Sequence, residues 1–305
     1  MFKNITVYEL DPAFEVSVAS LEAAIQAVPF SECSGSQDFS IGFVPPREVN
    51  GALVENVERQ YIMKLMIETK TVPGAIVMRE FKTIAANIED TTGRKPGNRE
   101  KREIKENIRM GLIPAAFPKQ SSVLLWINPK TRLLMIDSIS PSRLDLVLAL
   151  LVCTIEGFVC SLVQTEESPS AVMGVALAEG GDFSQDFTVD RECELKASDE
   201  SCATVRYAKH ALDIDEVAAH IQQGKRVTKL AMTWKDRVSF VLTEDLQLRK
   251  IALLDGVMAE SNRDGDDDAF DADVLITTSE ITGLLTDLFD ALGGTVDLPG
   301  DSDDL

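Results

Sequence analysis

Residues 213–242 read DIDEVAAHIQQGKRVTKLAMTWKDRVSFVL, and this stretch decides the fold. Asp213 and Glu216 stand as a capping box, and Ile214, Val217 and Ile221 recur at helical spacing. Gly224 occupies the place of a C-terminal cap. From Val227 to Trp234 the pattern changes to strand periodicity, and a tight turn at Lys235 and Asp236 leads back through Arg237 to Leu242. Leu230, Met232 and Trp234 share one strand face. Simple alternation then sets Lys225 and Lys229 together on the other, uncovered side. A short helix feeding a hairpin with one apolar and one cationic face predicts an α+β unit.

Working outward, Val123 to Asn128 and Arg132 to Asp137 form a second Trp-bearing hairpin around Pro129 and Lys130, with Trp126 on its first strand. Residues 4–10 and 60–69 read as strands, and Leu21 to Val28 carries helical spacing. Cys33 to Pro46 is expected as a loop, because Ser and Gly are frequent and paired prolines close it. A helix is predicted from Pro73 or Gly74 to about Glu89, broken at Thr91 to Gly97. A second follows, capped by Asn98, with Ile104, Ile108 and Leu112 as its apolar seam. Arg99, Arg102, Lys105 and Arg109 form a cationic stripe beside that seam, interleaved with Glu100, Glu103 and Glu106.

The longest apolar run, Leu144 to Phe158, is interrupted by Asp145, Glu156 and Gly157 and falls short of the roughly 20 residues of a membrane span, so it reads as a buried helix. Glu166 to Glu200 is polar and carries no clear period, with Gly180, Gly181 and Asp182 as a loop or boundary. Residues 271–276 lead into an amphipathic helix from Glu280 to Leu292, and Thr295 to Leu305 is expected as a disordered acidic tail. The fold class predicted is α+β, with mixed sheets, helices and a charged helical arm. Four parts are expected: an N-terminal β/α part of a central domain (1–72), the helical arm ending in an aromatic (73–118), a hairpin and helix (119–165), and a C-terminal α/β part with the cationic hairpin and the tail (166–305).

The chain of 305 residues has a formal charge of −20. The charge is concentrated: from Leu254 to Leu305 fifteen acidic residues face the single Arg263, whereas Arg94 to Arg109 has seven basic residues against three acidic, and Arg206 to Arg237 seven against four. Because screening confines a charge to about 8 Å at physiological salt, basic patches can act on an acidic protein. Five cysteines, odd in number and without a CxxC pair, argue against a disulfide framework and for a reducing cytoplasm. The first 30 residues show no export signal.

Catalytic patterns are weak. The two histidines, His210 and His220, lack the spacing of a zinc-binding helix, and Gly224 with Lys225 lacks the rest of a nucleotide-binding loop. Asp264, Asp266 and Asp268 resemble the start of a calcium loop, but Ala269 replaces the required Gly and Leu275 the required Glu, so the run reads as a solvated acidic loop. Neither a metal, a cofactor nor an enzymatic activity is expected.

Met1 to Asn4 with Val7 and Tyr8, Gly35 to Asp38, Gly42 to Pro46, Leu112 to Phe117, Trp126 and Ile127, Met135 to Asp137, His220 to Ala231, Trp234, and Phe270 to Asp273 together resemble the recombination-associated RdgC family of bacterial DNA-binding proteins. The resemblance implies a homodimer closed head to head and tail to tail into a ring, with double-stranded DNA passing through a basic hole. Single strands are a further expected partner. It also implies little sequence preference, antagonism of the RecA recombinase at DNA, and a cytoplasmic, nucleoid-associated protein. The family's DNA-facing positions fall on Lys209, His210, Lys225 and Lys229, with Arg206 and Arg226 as neighbours. His210 departs from the Gln usual there; an imidazole can donate to phosphate but gains charge only near an ordinary pKa of about 6.5. Phe117 falls on an aromatic that seals a ring interface, stiffened by Pro114 and Pro118. Two rivals stand beside this reading: a protein-interaction inhibitor acting through its acidic surface, and a nuclease using the aspartates of residues 264–273 with magnesium.

Overall fold

The computed structural model describes residues 1–47, 51–179, 183–199, 202–210, 212, 214–258 and 266–296. In chain order the first half runs β1 (Thr6–Leu10), α1 (Val18–Ile25), β2 (Phe39–Val44), β3 (Val54–Val57), β4 (Gln60–Lys70), α2 (Gly74–Thr92), α3 (Asn98–Leu112), a 3-10 turn (Ile113–Ala115), β5 (Pro118–Asn128), β6 (Leu133–Ile136), α4 (Pro141–Thr154) and β7 (Cys160–Leu162). The second half runs α5 (Pro169–Glu179), β8 (Phe187–Ala197), β9 (Thr204–Ala208), α6 (Ile214–Gln222), β10 (Lys225–Trp234), β11 (Val238–Thr243), β12 (Leu248–Leu253), α7 (Asp255–Met258) and α8 (Asp266–Ala291). The α+β class predicted from the sequence is the class observed, but both sheets are antiparallel where mixed sheets are expected. No described helix is long and apolar enough to cross a membrane.

The strands form two antiparallel sheets. One has seven strands in the order β2-β4-β5-β6-β1-β7, with β3 also paired to β4; the other has five, β12-β11-β10-β8-β9. One apolar core joins the first sheet's Leu65, Leu125 and Ile136 to Leu21 of α1 and Val147 and Leu151 of α4. A second core lies between the sheets: Ile62, Trp126 and Met135 from one, Leu230, Met232 and Phe240 from the other, and Ile281, Leu284 and Leu288 of α8 between them. The indole N–H of Trp126 donates to Gln60 at 2.8 Å and that of Trp234 to Asp287 of α8 at 2.8 Å, so both buried indoles satisfy their polar atom. Arg47 bridges Glu55 of β3 and Asp271 of α8 and sits 4.5 Å above the Phe270 ring, which ties the start of α8 to the first sheet.

Four further sequence expectations are corrected. Cys33 to Pro46 is not all loop, since Phe39–Val44 pairs with β4 from Phe39 opposite Thr69 to Val44 opposite Lys64; the prolines stand just past the last pair and cost the ladder nothing. Gly42 matters here: a Cβ on it would lie 2.5 Å from the backbone of Phe30. The region 166–200 contains α5 and β8; β8 alternates Phe187, Val189, Cys193 and Leu195 with polar residues, and Arg191 interrupts its apolar face. Residues 266–291 form one continuous helix, so Asp266 onward is not an acidic loop; carboxylates are favoured in the first turn of a helix. Lys225 lies on the helix-facing side of β10 and does not share a face with Lys229. Asp213, residues 180–182, Asp264 and most of the acidic tail lie outside the described residues.

The arm is a hairpin of α2 and α3 in which neither helix buries a residue. Gly93, at φ 69°, ends α2 in the left-handed conformation. The cations of α3 are largely engaged: Arg99 meets Glu103 at 2.9 Å, Lys105 lies 5.0 Å over Phe81 of α2, and Arg109 reaches Asp38 at 3.7 Å.

Candidate nucleic-acid interface

One face of the five-stranded sheet packs on α5, α6 and α8, and the other lies outside both apolar cores. The register shows which side chains reach that open face. Cys193 and Leu195 of β8 are fully buried, so Glu192, Glu194 and Lys196 point the other way. Glu194 stands opposite Lys229 of β10 and Arg206 of β9, and Lys196 stands opposite Arg226. Arg249 of β12 pairs with Val241 of β11, which belongs to neither core.

A bulge between Val227 and Lys229 changes the predicted face of Lys225. One extra residue on β10 shifts the alternation by one, so Val227 enters the same core as Leu230, Met232 and Trp234. Lys225, two residues before Val227, therefore lies on the helix side. Its Nζ donates to His220 Nδ1 of α6 at 3.1 Å and sits 3.5 Å from Gln223 Oε1. Lys225 and Lys229 do not share a face; Arg206, Arg226 and Lys229 do. Lys209, in left-handed backbone at φ 58°, and His210 follow β9, which ends opposite Glu192, whereas Lys225 starts β10 opposite Ala197. These two exposed residues thus follow the end of β9 beside the middle of β8, away from Lys225.

The open face is threaded by ion pairs. Lys229 Nζ meets Glu194 Oε1 at 2.7 Å, Arg226 Nε meets Glu244 at 3.3 Å, and Glu192 accepts from both Arg206 Nη2 at 3.0 Å and Lys250 Nζ at 2.8 Å. The Lys250 to Glu192 pair spans β10 and β11. The hydrogen bond from Lys250 holds the Glu192 carboxyl below the usual range, burial opposing and Arg206 assisting. For Glu194 burial pushes upward, but Lys229 and Thr228 together pull the carboxyl below its ordinary value. Both carboxylates are charged at neutral pH, so Arg206, Lys229 and Lys250 each stand against a negative charge.

The sequence reading missed Lys196, Arg249 and Lys250. The alternation of Cys193, Leu195 and Ala197 with Glu194 and Lys196 was an available signal, whereas Leu248 and Ile251 stand three apart around Arg249 and Lys250, and the register shift between β11 and β12 hides the period. Phe117 follows the 3-10 turn and is 92% exposed, so it is not a core residue.

Among the described residues no three His, Cys, Asp or Glu side chains converge to hold a metal ion. All five cysteines are free thiols. Burial pushes Cys193 up to about 12 and Cys160 up to about 11, far from a thiolate at neutral pH.

Fold and site define a class: an α+β protein with a charged, uncovered sheet face and a projecting helical arm. The family model described as "Putative exonuclease, RdgC" matches residues 1–295. The chain is 36% identical over 300 residues to the recombination-associated protein RdgC of Dechloromonas aromatica (strain RCB), covering 97% of this chain and 98% of that one. It is 38% identical to the proteins of that name from Janthinobacterium sp. (strain Marseille), over 97% of this chain and 99% of that one, and from Bordetella pertussis (strain Tohama I / ATCC BAA-589 / NCTC 13251), over 96% and 98%. The chain belongs to the RdgC family.

Proposed function

We propose that this protein binds duplex DNA without sequence preference, as a homodimeric ring, and restrains RecA-type recombination by occupying DNA. The observation that carries the reading is the open face of the second sheet, where Arg206, Arg226 and Lys229 stand together in a chain whose relatives are named recombination-associated proteins. Cations presented by rigid strands track phosphates, which are the same for every sequence. The interleaved Glu192, Glu194 and Glu244 lower the net field of the face, which suits a protein that must release DNA as well as hold it. Lys209 and His210 extend the contact at the end of β9, and the exposed Phe117 is the anchor through which two copies meet. Binding needs no cofactor, the protein acts without catalysis, and its place is the cytoplasm at the nucleoid.

Anisotropy titrations with duplexes of unrelated sequence test this. Affinities equal within a few fold, falling steeply with salt, are expected; a preference of a hundredfold for one sequence contradicts it. The wording of the family description favours a second reading, an exonuclease. Labelled duplex incubated with magnesium or manganese decides between them: intact ends support binding alone, and stepwise shortening supports hydrolysis.

A further inference from the structure

Two cations of the open face stand apart from the ion-pair network. Lys196 of β8 and Arg249 of β12 form no ion pair among the described residues, whereas Arg206, Arg226, Lys229 and Lys250 all do. Lys196 also stands directly opposite Arg226 on β10, and like charges so placed repel. Lys196, Arg249 and Lys229 line one cleft of about 170 Å³, floored by the buried hydroxyls of Thr228 and Thr243. Among the described residues no aromatic ring lines it, so it offers nothing for a base to stack on. Its volume is below the roughly 300 Å³ at which pockets begin to enclose whole small molecules, and it suits a single tetrahedral oxyanion in size. Glu194, Glu244 and Asp245 line it as well, but Glu194 is held by Lys229 and Glu244 by Arg226, which leaves two cations, Lys196 and Arg249, to one carboxylate, Asp245. Resting on the DNA-binding reading above, we infer that this cleft seats one phosphodiester group of duplex DNA, held directly by Lys196 and Arg249, and that Glu194 gates it.

Glu194 gates by competition. Its carboxylate lies 2.7 Å from Lys229 and 3.1 Å from the Thr228 hydroxyl, the groups that a phosphate would take as its third and fourth donors. A phosphate entering the cleft relieves the repulsion between Lys196 and Arg226 and exchanges with Glu194 for Lys229. The seat therefore closes on DNA at the expense of an existing pair, which weakens the complex and lets it slip from one phosphate to the next.

The test uses the full chain in three forms: native, Lys196→Gln with Arg249→Gln, and Glu194→Gln. Duplex affinity is followed against salt. The double variant is expected to lose about tenfold in affinity and about one unit of slope in log K against log salt, the loss of one phosphate contact. Glu194→Gln is expected to bind at least threefold tighter, a gain that misfolding cannot produce. A double variant with native circular dichroism and native affinity, or a weaker Glu194→Gln, overturns the seat while leaving the DNA reading intact. A native chain that binds no duplex overturns both. Inorganic phosphate distinguishes the source of the ligand: if millimolar phosphate raises the melting temperature of the native chain only, while duplex affinity is the same in all three forms, the seat takes free phosphate and its assignment to DNA is wrong.

Discussion

Lys225 and Lys229 show what a single residue can conceal. Their identities and spacing were legible, and both were expected on one surface, yet one extra residue at the β10 bulge turns Lys225 to His220 and leaves Lys229 facing outward beside Glu194. A bulge has no signature in a strand whose neighbours are all acceptable on either face, so period alone could not find it. Lys229→Glu is expected to lower duplex affinity by tenfold or more, since it sets a charge of the wrong sign beside Glu194; Lys225→Glu should cost less. The opposite ranking in an anisotropy titration would return the face to the simple alternation. Glu192 gives a pH prediction. Its folded-state carboxyl lies below its unfolded value, so its contribution to stability is present above about pH 4.3 and is lost as pH falls through the folded value. Thermal midpoints measured from pH 7 to 3 should fall more steeply for the native chain than for Glu192→Gln, and parallel curves would show that Lys250 and Arg206 do not stabilise through it.

At the scale of elements, both Trp hairpins, the arm helices and α6 were readable because each couples a clear period to a chemical stop such as Gly224 or the Lys235 and Asp236 turn. β2 was not. Its residues follow a polar loop and precede two prolines, and what makes it a strand is distant: β4 supplies the ladder and Phe30 packs against Gly42. Gly42→Ala should therefore destabilise by about 2 kcal/mol, because a methyl 2.5 Å from the Phe30 backbone forces the main chain apart and outweighs the smaller entropy gain of losing a glycine. Denaturant midpoints check this, and an unchanged or raised midpoint would mean that the Phe30 segment moves freely. α8 was only half legible for a related reason: its first turns carry aspartates that suit a helix start or a solvated loop equally, and Arg47 on the first sheet, pairing with Asp271, is what a local pattern cannot supply.

For the whole molecule, the net charge of −20 and a DNA-binding role are compatible because acidity gathers toward the C-terminal end while the cations of the second sheet converge through register. That convergence is long-range: Arg206 comes from β9, Arg226 and Lys229 from β10 and Arg249 from β12, and the resemblance spread along the chain hinted at the first three but not at Arg249. In the proposed homodimer Phe117 is the contact between copies. With its ring 92% exposed in the single chain, Phe117→Ala should leave the melting temperature of the monomer fold within a degree or two and weaken self-association at least tenfold by sedimentation velocity; an unchanged dimer would place the contact elsewhere. On the proposed function the open face of the second sheet grips DNA through phosphates, and the decisive measurement is the salt dependence of duplex binding for the native chain and for Arg206→Gln, Arg226→Gln, Lys229→Gln combined. A steep native line is expected, with a variant line flatter by two to three units, near 0.9 per phosphate contact removed, and affinity reduced by a hundredfold or more. A variant that binds as tightly and as steeply as the native chain would contradict the proposal.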